Sequence, residues 1–168
     1  MLNTQVIGTT MPHGQAGSYA RQPDMIVATF PAGGAVNIPF GTPLKLDAGK
    51  VVAMGASDTA AAFVGIASRE VKTALTYLQQ DVGEYAPDEA VSVFQRGCIN
   101  MICQKGTPAY GTPVYLRIAA NASYPNAAVG GVEAEADGDN TVQLTNCTWQ
   151  GPVDANKVAE LRVLTINK

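Results

Sequence analysis

Few side chains in this 168-residue sequence carry reactive chemistry. The densest run is Glu133, Glu135, Asp137 and Asp139 followed by Asn140, which sets oxygen donors at every second position, as a chain wrapping a calcium ion would. The run departs from the twelve-residue calcium loop, because its glycine comes late and no glutamate closes it. The simpler expectation is a solvated strand edge running into an Asp137-Gly138 turn, with no metal bound. Cys98, Cys103 and Cys147 lack metal-ligand spacing, and an odd count leaves at least one thiol unpaired. On a regular strand Cys98 and Cys103 point to opposite faces, so free buried thiols are expected, with a bridge from either to Cys147 as the alternative. The only histidine, His13, sits in a polar stretch with no orienting carboxylate beside it, so no Ser/His or Cys/His couple can be assembled. No phosphate loop, dinucleotide fingerprint or HExxH motif occurs. The expectation is a protein that is not an enzyme, with no catalytic, cofactor-binding or metal-ligating residues.

Composition narrows the remaining classes. Charged residues make up 15% of the chain, against the quarter or so usual in soluble domains, and 17 glycines and 10 prolines punctuate it. So little charge leaves much neutral surface in water, and packing it against copies of the chain or a partner is the simplest remedy. A net charge of -3 with scattered Lys and Arg argues against nucleic-acid binding, which needs a basic stripe. No apolar run approaches the ~18 residues that span a bilayer, and the amino terminus lacks the pattern of a signal peptide, so neither membrane nor secretory export is expected.

The element that must position everything else is Val91 to Cys103. Val91, Val93, Phe94, Ile99, Met101 and Ile102 crowd into it, and β-branched and aromatic residues around a central Gly97 favour a long strand bent at the glycine over a helix. Phe94 and Ile102 break simple alternation, so either both faces are covered or the bend exchanges them. Before it, Met25 to Phe30 reads as a first strand, and Asp47-Ala48-Gly49-Lys50 as a hairpin turn between Pro43 to Leu46 and Val51 to Met54. Phe63 to Ala67 is a further strand with an interior glycine. Residues 68–80 read either as a helix or as an extended loop. After it come strands at Pro113 to Ala119, Thr141 to Trp149 and Val158 to Ile166, with 121–140 a long polar excursion. Phe40-Gly41-Thr42-Pro43 returns as Tyr110-Gly111-Thr112-Pro113, which points to two equivalent corners of one β architecture. Short strands at about ten-residue spacing imply an all-β fold, a compact antiparallel sandwich or barrel with a jelly roll among the options. The expected organisation is an extended arm over 1–23 and a single β domain over 24–168. Val6, Ile7, Met11, Tyr19 and Met25 are too many apolar anchors for a solvated tail, and with Arg21 they form the candidate interface.

Several segments in order resemble the structural cement, or capsid decoration, proteins of tailed bacteriophages. They are Ile38-Pro39-Phe40-Gly41, Phe63-Val64-Gly65-Ile66-Ala67, Tyr85 and Pro87 leading into Val91-Ser92-Val93 with Arg96-Gly97, and Gly111-Thr112-Pro113-Val114-Tyr115-Leu116-Arg117. The resemblance implies a structural β protein on the outer surface of a virion head, assembled in the host cytoplasm, with the major capsid protein as partner. It also implies a homo-oligomer, a trimer before a dimer. The competing class is a sandwich that binds carbohydrate on a host surface through Tyr110, Tyr115, Tyr124 or Trp149 as stacking platforms. A hydrolase with scattered carboxylates comes third.

Overall fold

The computed structural model describes residues 12–70 and 83–164. Among them the regular structure is antiparallel β apart from two short 3-10 turns, so the all-β expectation holds. The strands are β1 (Tyr19–Pro31), β2 (Ile38–Pro39), β3 (Pro43–Asp47), β4 (Lys50–Ala53), β5 (Phe63–Ala67), β6 (Glu84–Tyr85), β7 (Ala90–Ile102), β8 (Pro113–Arg117), β9 (Val132–Glu133), β10 (Thr141–Trp149) and β11 (Val158–Val163). Nine of them form one curled sheet, and β2 with β6 forms a small second one.

β7 is the axis. Apart from the terminal Ala90 and Ile102, which are exposed, its apolar residues are buried on both faces: Val91 and Val93 enter a cluster with Leu44, Val51, Val64 and Tyr85, while Phe94, Ile99 and Met101 enter a larger one around Trp149, Leu116, Leu144 and Leu161. The break in alternation thus reflects two cores sharing one strand. Gly97 lies between them with φ +109. β1 pairs with β7 at Tyr19 and Arg21, leaves it, and rejoins at Ile26. In the gap the Asp24-Met25 backbone lies across Gly97, so close that a Cβ there would stand 2.2 Å from the Asp24 carbonyl oxygen.

The sheet runs β4-β3-β5-β7-β11-β10-β8-β9. Exchanging β3 with β8, β4 with β9, β5 with β10 and β7 with β11 reverses that order, so the sheet is a palindrome centred on the β7/β11 pair. The registers agree: Pro43 faces Ile66 as Pro113 faces Thr148, and Ala67 faces Val93 as Trp149 faces Leu161. The β3-β4 hairpin turns through Ala48 and Gly49, both at positive φ, the geometry whose twist matches antiparallel strands.

Some boundaries differ from the sequence reading. β1 begins at Tyr19, not Met25, because Tyr19 and Arg21 already pair with β7 and Tyr19 packs on the larger core. The polar excursion contains β9, whose Val132 and Glu133 are both buried. The choice between helix and loop at 68–80 falls largely on residues outside those described, and the last strand ends at Val163, short of the expected Ile166.

Candidate functional site

Two of the four acids in the run, Glu133 and Asp137, are occupied by the protein's own cations, while Glu135 and Asp139 are exposed. Arg117 and Glu133 are sealed from solvent and meet in a two-pronged pair, Nε to Oε1 at 2.5 Å and Nη2 to Oε2 at 2.9 Å. Arg117 Nη1 donates to Asp137 Oδ2 at 2.9 Å, and the Asn121 amide donates to the same carboxylate. Glu133 is therefore no solvated edge: β8 pairs with β9 and carries the guanidinium that neutralises it. Among the described residues no group of three His, Cys, Asp or Glu side chains is placed to hold a metal. All three cysteines are free and buried, as expected. Burial pushes the Cys98 thiol up to about 11 and that of Cys147 to about 12, so neither ionises to a nucleophile at neutral pH.

Three surface carboxyls are held below the usual range. For Asp137 the Asn121 amide is the main cause, with Arg117 and Lys105 assisting against burial. At Asp58 and Asp154 burial works in the raising direction and is outweighed, by the Lys45 ammonium and the Gly55 N–H in one case and by the N–H groups of His13, Val158 and Asn156 in the other. Carboxyls that titrate lower when folded support folding only while ionised. Their contribution is complete above the unfolded value of about 4 and is lost as pH falls through the depressed folded values. Stability measured by urea denaturation should therefore fall steeply below about pH 4, and Asp137→Asn or Asp154→Asn should flatten that limb.

No reactive centre is assembled among the described residues, and the functional features are surfaces. Residues 12–18 lie on the sheet, fastened by Asn100. Its side-chain amide donates to the His13 carbonyl at 2.7 Å, its carbonyl accepts from Gly17 N–H at 2.8 Å, and its N–H donates to Ser18 O at 2.9 Å. His13 N–H donates to Asp154 Oδ2 at 2.9 Å and its Nε2 stands 3.1 Å from Pro152 O, so both backbone and ring are tied to the 152–156 loop. An open depression of about 520 Å³ lies where the segment enters, between Pro12, His13 and the 152–156 loop.

The two Gly-Thr-Pro corners are equivalent in detail. Gly41 (φ +77) and Gly111 (φ +79) each occupy the third position of a turn closed by the next threonine, Thr42 N–H to Pro39 O and Thr112 N–H to Ala109 O. Gly41 N–H donates to Ala67 O and Ala67 N–H to Thr42 O; Gly111 N–H donates to Trp149 O and Trp149 N–H to Thr112 O. Their surroundings differ. Ala16 and Gly17 sit on Gly41, whereas nothing lies within 4 Å of a Cβ built on Gly111, and Tyr110 is 79% exposed.

Of the candidate interface residues, Val6, Ile7 and Met11 lie outside those described. Tyr19 packs on Phe94 and donates its hydroxyl to Glu70, and Met25 packs against the larger core. Arg21 is exposed and its Nε stands 2.6 Å from Glu160 Oε1 in an ion pair. Two of the four carbohydrate platforms are taken up, Trp149 being fully buried with its indole N–H on Glu133 O and Tyr124 lying under the Lys105 ammonium at 3.9 Å, while Tyr115 is half-buried and Tyr110 exposed. Asn100 and the Ala16-Gly17 seat gave no signal in the sequence, since neither residue type marks a fastening until the fold places it.

Comparison with known proteins gives a consistent picture. Residues 2–164 match a family model described as structural cement protein. No curated protein sequence matches. Among solved structures, a chain from "The capsid of Myoviridae Phage XM1" superposes with a TM-score of 0.71 at 20% identity, covering 99% of this chain and 100% of that one. That likeness establishes a shared fold.

Proposed function

The chain belongs to the phage structural cement protein family, a structural and not an enzyme family, and from that premise we propose that it sits on the outer face of an icosahedral head and ties neighbouring major capsid subunits together. Packaged DNA pushes a shell outward, and a clamp lying across a seam must lose its contacts before the seam opens. The observation that carries this reading is the pairing of a fastened leader with a bare, weakly charged corner on a sheet that offers no reactive centre. Several modest contacts made by one rigid body add by avidity, and self-association into a trimer or dimer would multiply them. In this reading the leader's Val6, Ile7 and Met11 meet the capsid beside Arg21, and Tyr19 and Met25 root it in the sheet. The partner is the major capsid protein, with no role for nucleic acid or membrane, and the head is assembled in the host cytoplasm.

Heating heads with and without the protein tests this directly. Decorated heads should release their DNA at a higher temperature than bare ones. Chain lacking residues 1–11 should fold but bind roughly ten- to a hundredfold more weakly, as expected when one of several linked contacts is removed. Equal release temperatures would remove the stabilising role.

A further inference from the structure

The palindrome poses a specific question, because one of its two corners is covered and the other is not. At the covered corner the seat is tight. A Cβ on Gly17 would stand 2.7 Å from Gly41 N and 2.9 Å from Ala67 O, and one on Gly41 would stand 2.8 Å from the Ala16 methyl. Only a pair of small residues fits, and it is locked by one further bond, Arg69 N–H to Gly17 O at 2.7 Å.

Several elements of that seat have counterparts at the second corner. Gly111 stands for Gly41, Trp149 for Ala67 and Tyr110 for Phe40. Ser68 N–H donates to Ser92 O just as Gln150 N–H donates to Glu160 O, so the next residue, Gly151, stands for Arg69. Gly151 N–H makes no backbone hydrogen bond among the described residues, and a Cβ there would meet nothing within 4 Å. Open depressions flank this residue, one of about 170 Å³ reaching Gln150 and Arg21, the other reaching Pro152.

We propose that the Tyr110-Gly111 corner, with Gly151, is a docking seat for a turn of a capsid subunit bearing an Ala-Gly or Gly-Gly pair, bound as the Gln15–Ser18 turn with its Ala16-Gly17 is bound at the first corner. This deepens the cement reading above and rests on it. The incoming small pair lies on Gly111, its carbonyl accepts the Gly151 N–H, and Tyr110 covers its flank. A second copy of the chain is the poorer occupant: its Ala16-Gly17, Gly33-Gly34 and Gly130-Gly131 pairs are bonded within the molecule, and its Ala48-Gly49 turn holds both residues at positive φ, unlike Ala16.

The test uses heads purified without the protein, the full chain, and the variants Tyr110→Ala and Gly151→Leu, with Gly55→Leu as control. Gly55, like Gly151, has no atom within 4 Å of a built Cβ and no positive φ, so both substitutions leave the fold intact. Loss of a central tyrosine or blockage of its seat should weaken binding to heads roughly tenfold or more, with melting temperature and sedimentation unchanged and the control binding as the parent does. Parent-like binding by both variants, while the parent still binds and stabilises heads, overturns the seat and leaves the cement reading standing. Variants that bind heads normally but lose self-association assign the corner to a contact between copies, which also overturns it. A parent chain that binds no heads removes the cement reading and this inference with it.

Discussion

Gly97→Ala should destabilise the fold by roughly 3 kcal/mol or more, the combined scale of a forbidden backbone angle and an overpacked contact. Two independent observations converge on this residue: φ is +109, and the atoms a Cβ would strike are backbone, the Asp24 carbonyl at 2.2 Å and Met25 Cα at 3.1 Å. Backbone cannot swing aside as a long side chain can, so the substitution must push β1 off β7 or unbend β7 itself. Gly111→Ala is the matched comparison, with a similar φ of +79 and nothing within 4 Å. It should cost only about 1 kcal/mol, the backbone term alone. Urea denaturation of both variants separates the two contributions, and equal losses would show that the crossing is not the cause.

Arg117→Met should cost about 3–5 kcal/mol, because it leaves the Glu133 carboxylate sealed in the core with no cation. The pair itself is a different quantity from that loss. Desolvating two charges consumes most of what their attraction returns, so the double change Arg117→Met with Glu133→Leu should recover a large part of the stability. The Asp137 and Asn121 contacts, exposed at their outer edge, would then loosen the 121–140 segment without unfolding the sheet. A double-mutant cycle measured by urea denaturation checks this, and additive losses would contradict it.

How much of this was legible beforehand follows the physics of each signal. Strands that bury a face on the core announce themselves by apolar residues, so β7, β10 and the β3-β4 hairpin with its Ala48-Gly49 turn stood where they were expected. Strands held by a few pairings and by charged contacts leave no such trace: Tyr19 to Asp24 meets β7 only at Tyr19 and Arg21 and ties Asp24 to Arg96, and β9 is two residues long. The Gly-Thr-Pro repeat was visible as four residues, but that it marks a palindromic sheet depends on hydrogen bonds to Ala67 and Trp149, far away in sequence. Glu133 was misjudged for a similar reason. A carboxylate reads as solvated until its neighbour across the ladder proves to be a strand carrying Arg117. The surface seat was least legible, since what distinguishes Gly111 from Gly41 is what fails to cover it.

The dependence of β1 on β7 has a consequence for synthesis. A ribosome delivers Tyr19–Pro31 first, yet its partner, Ala90–Ile102, follows roughly 70 residues later, an interval of about 4–14 seconds at ordinary elongation rates. Through that wait the newborn strand has unsatisfied edges that invite other nascent chains. Arg21, Pro23 and Asp24 interrupt its first half, where a hydrophobic ribbon would be most hazardous. The same residues that make this strand hard to read as one are those that let it remain single until its mate emerges.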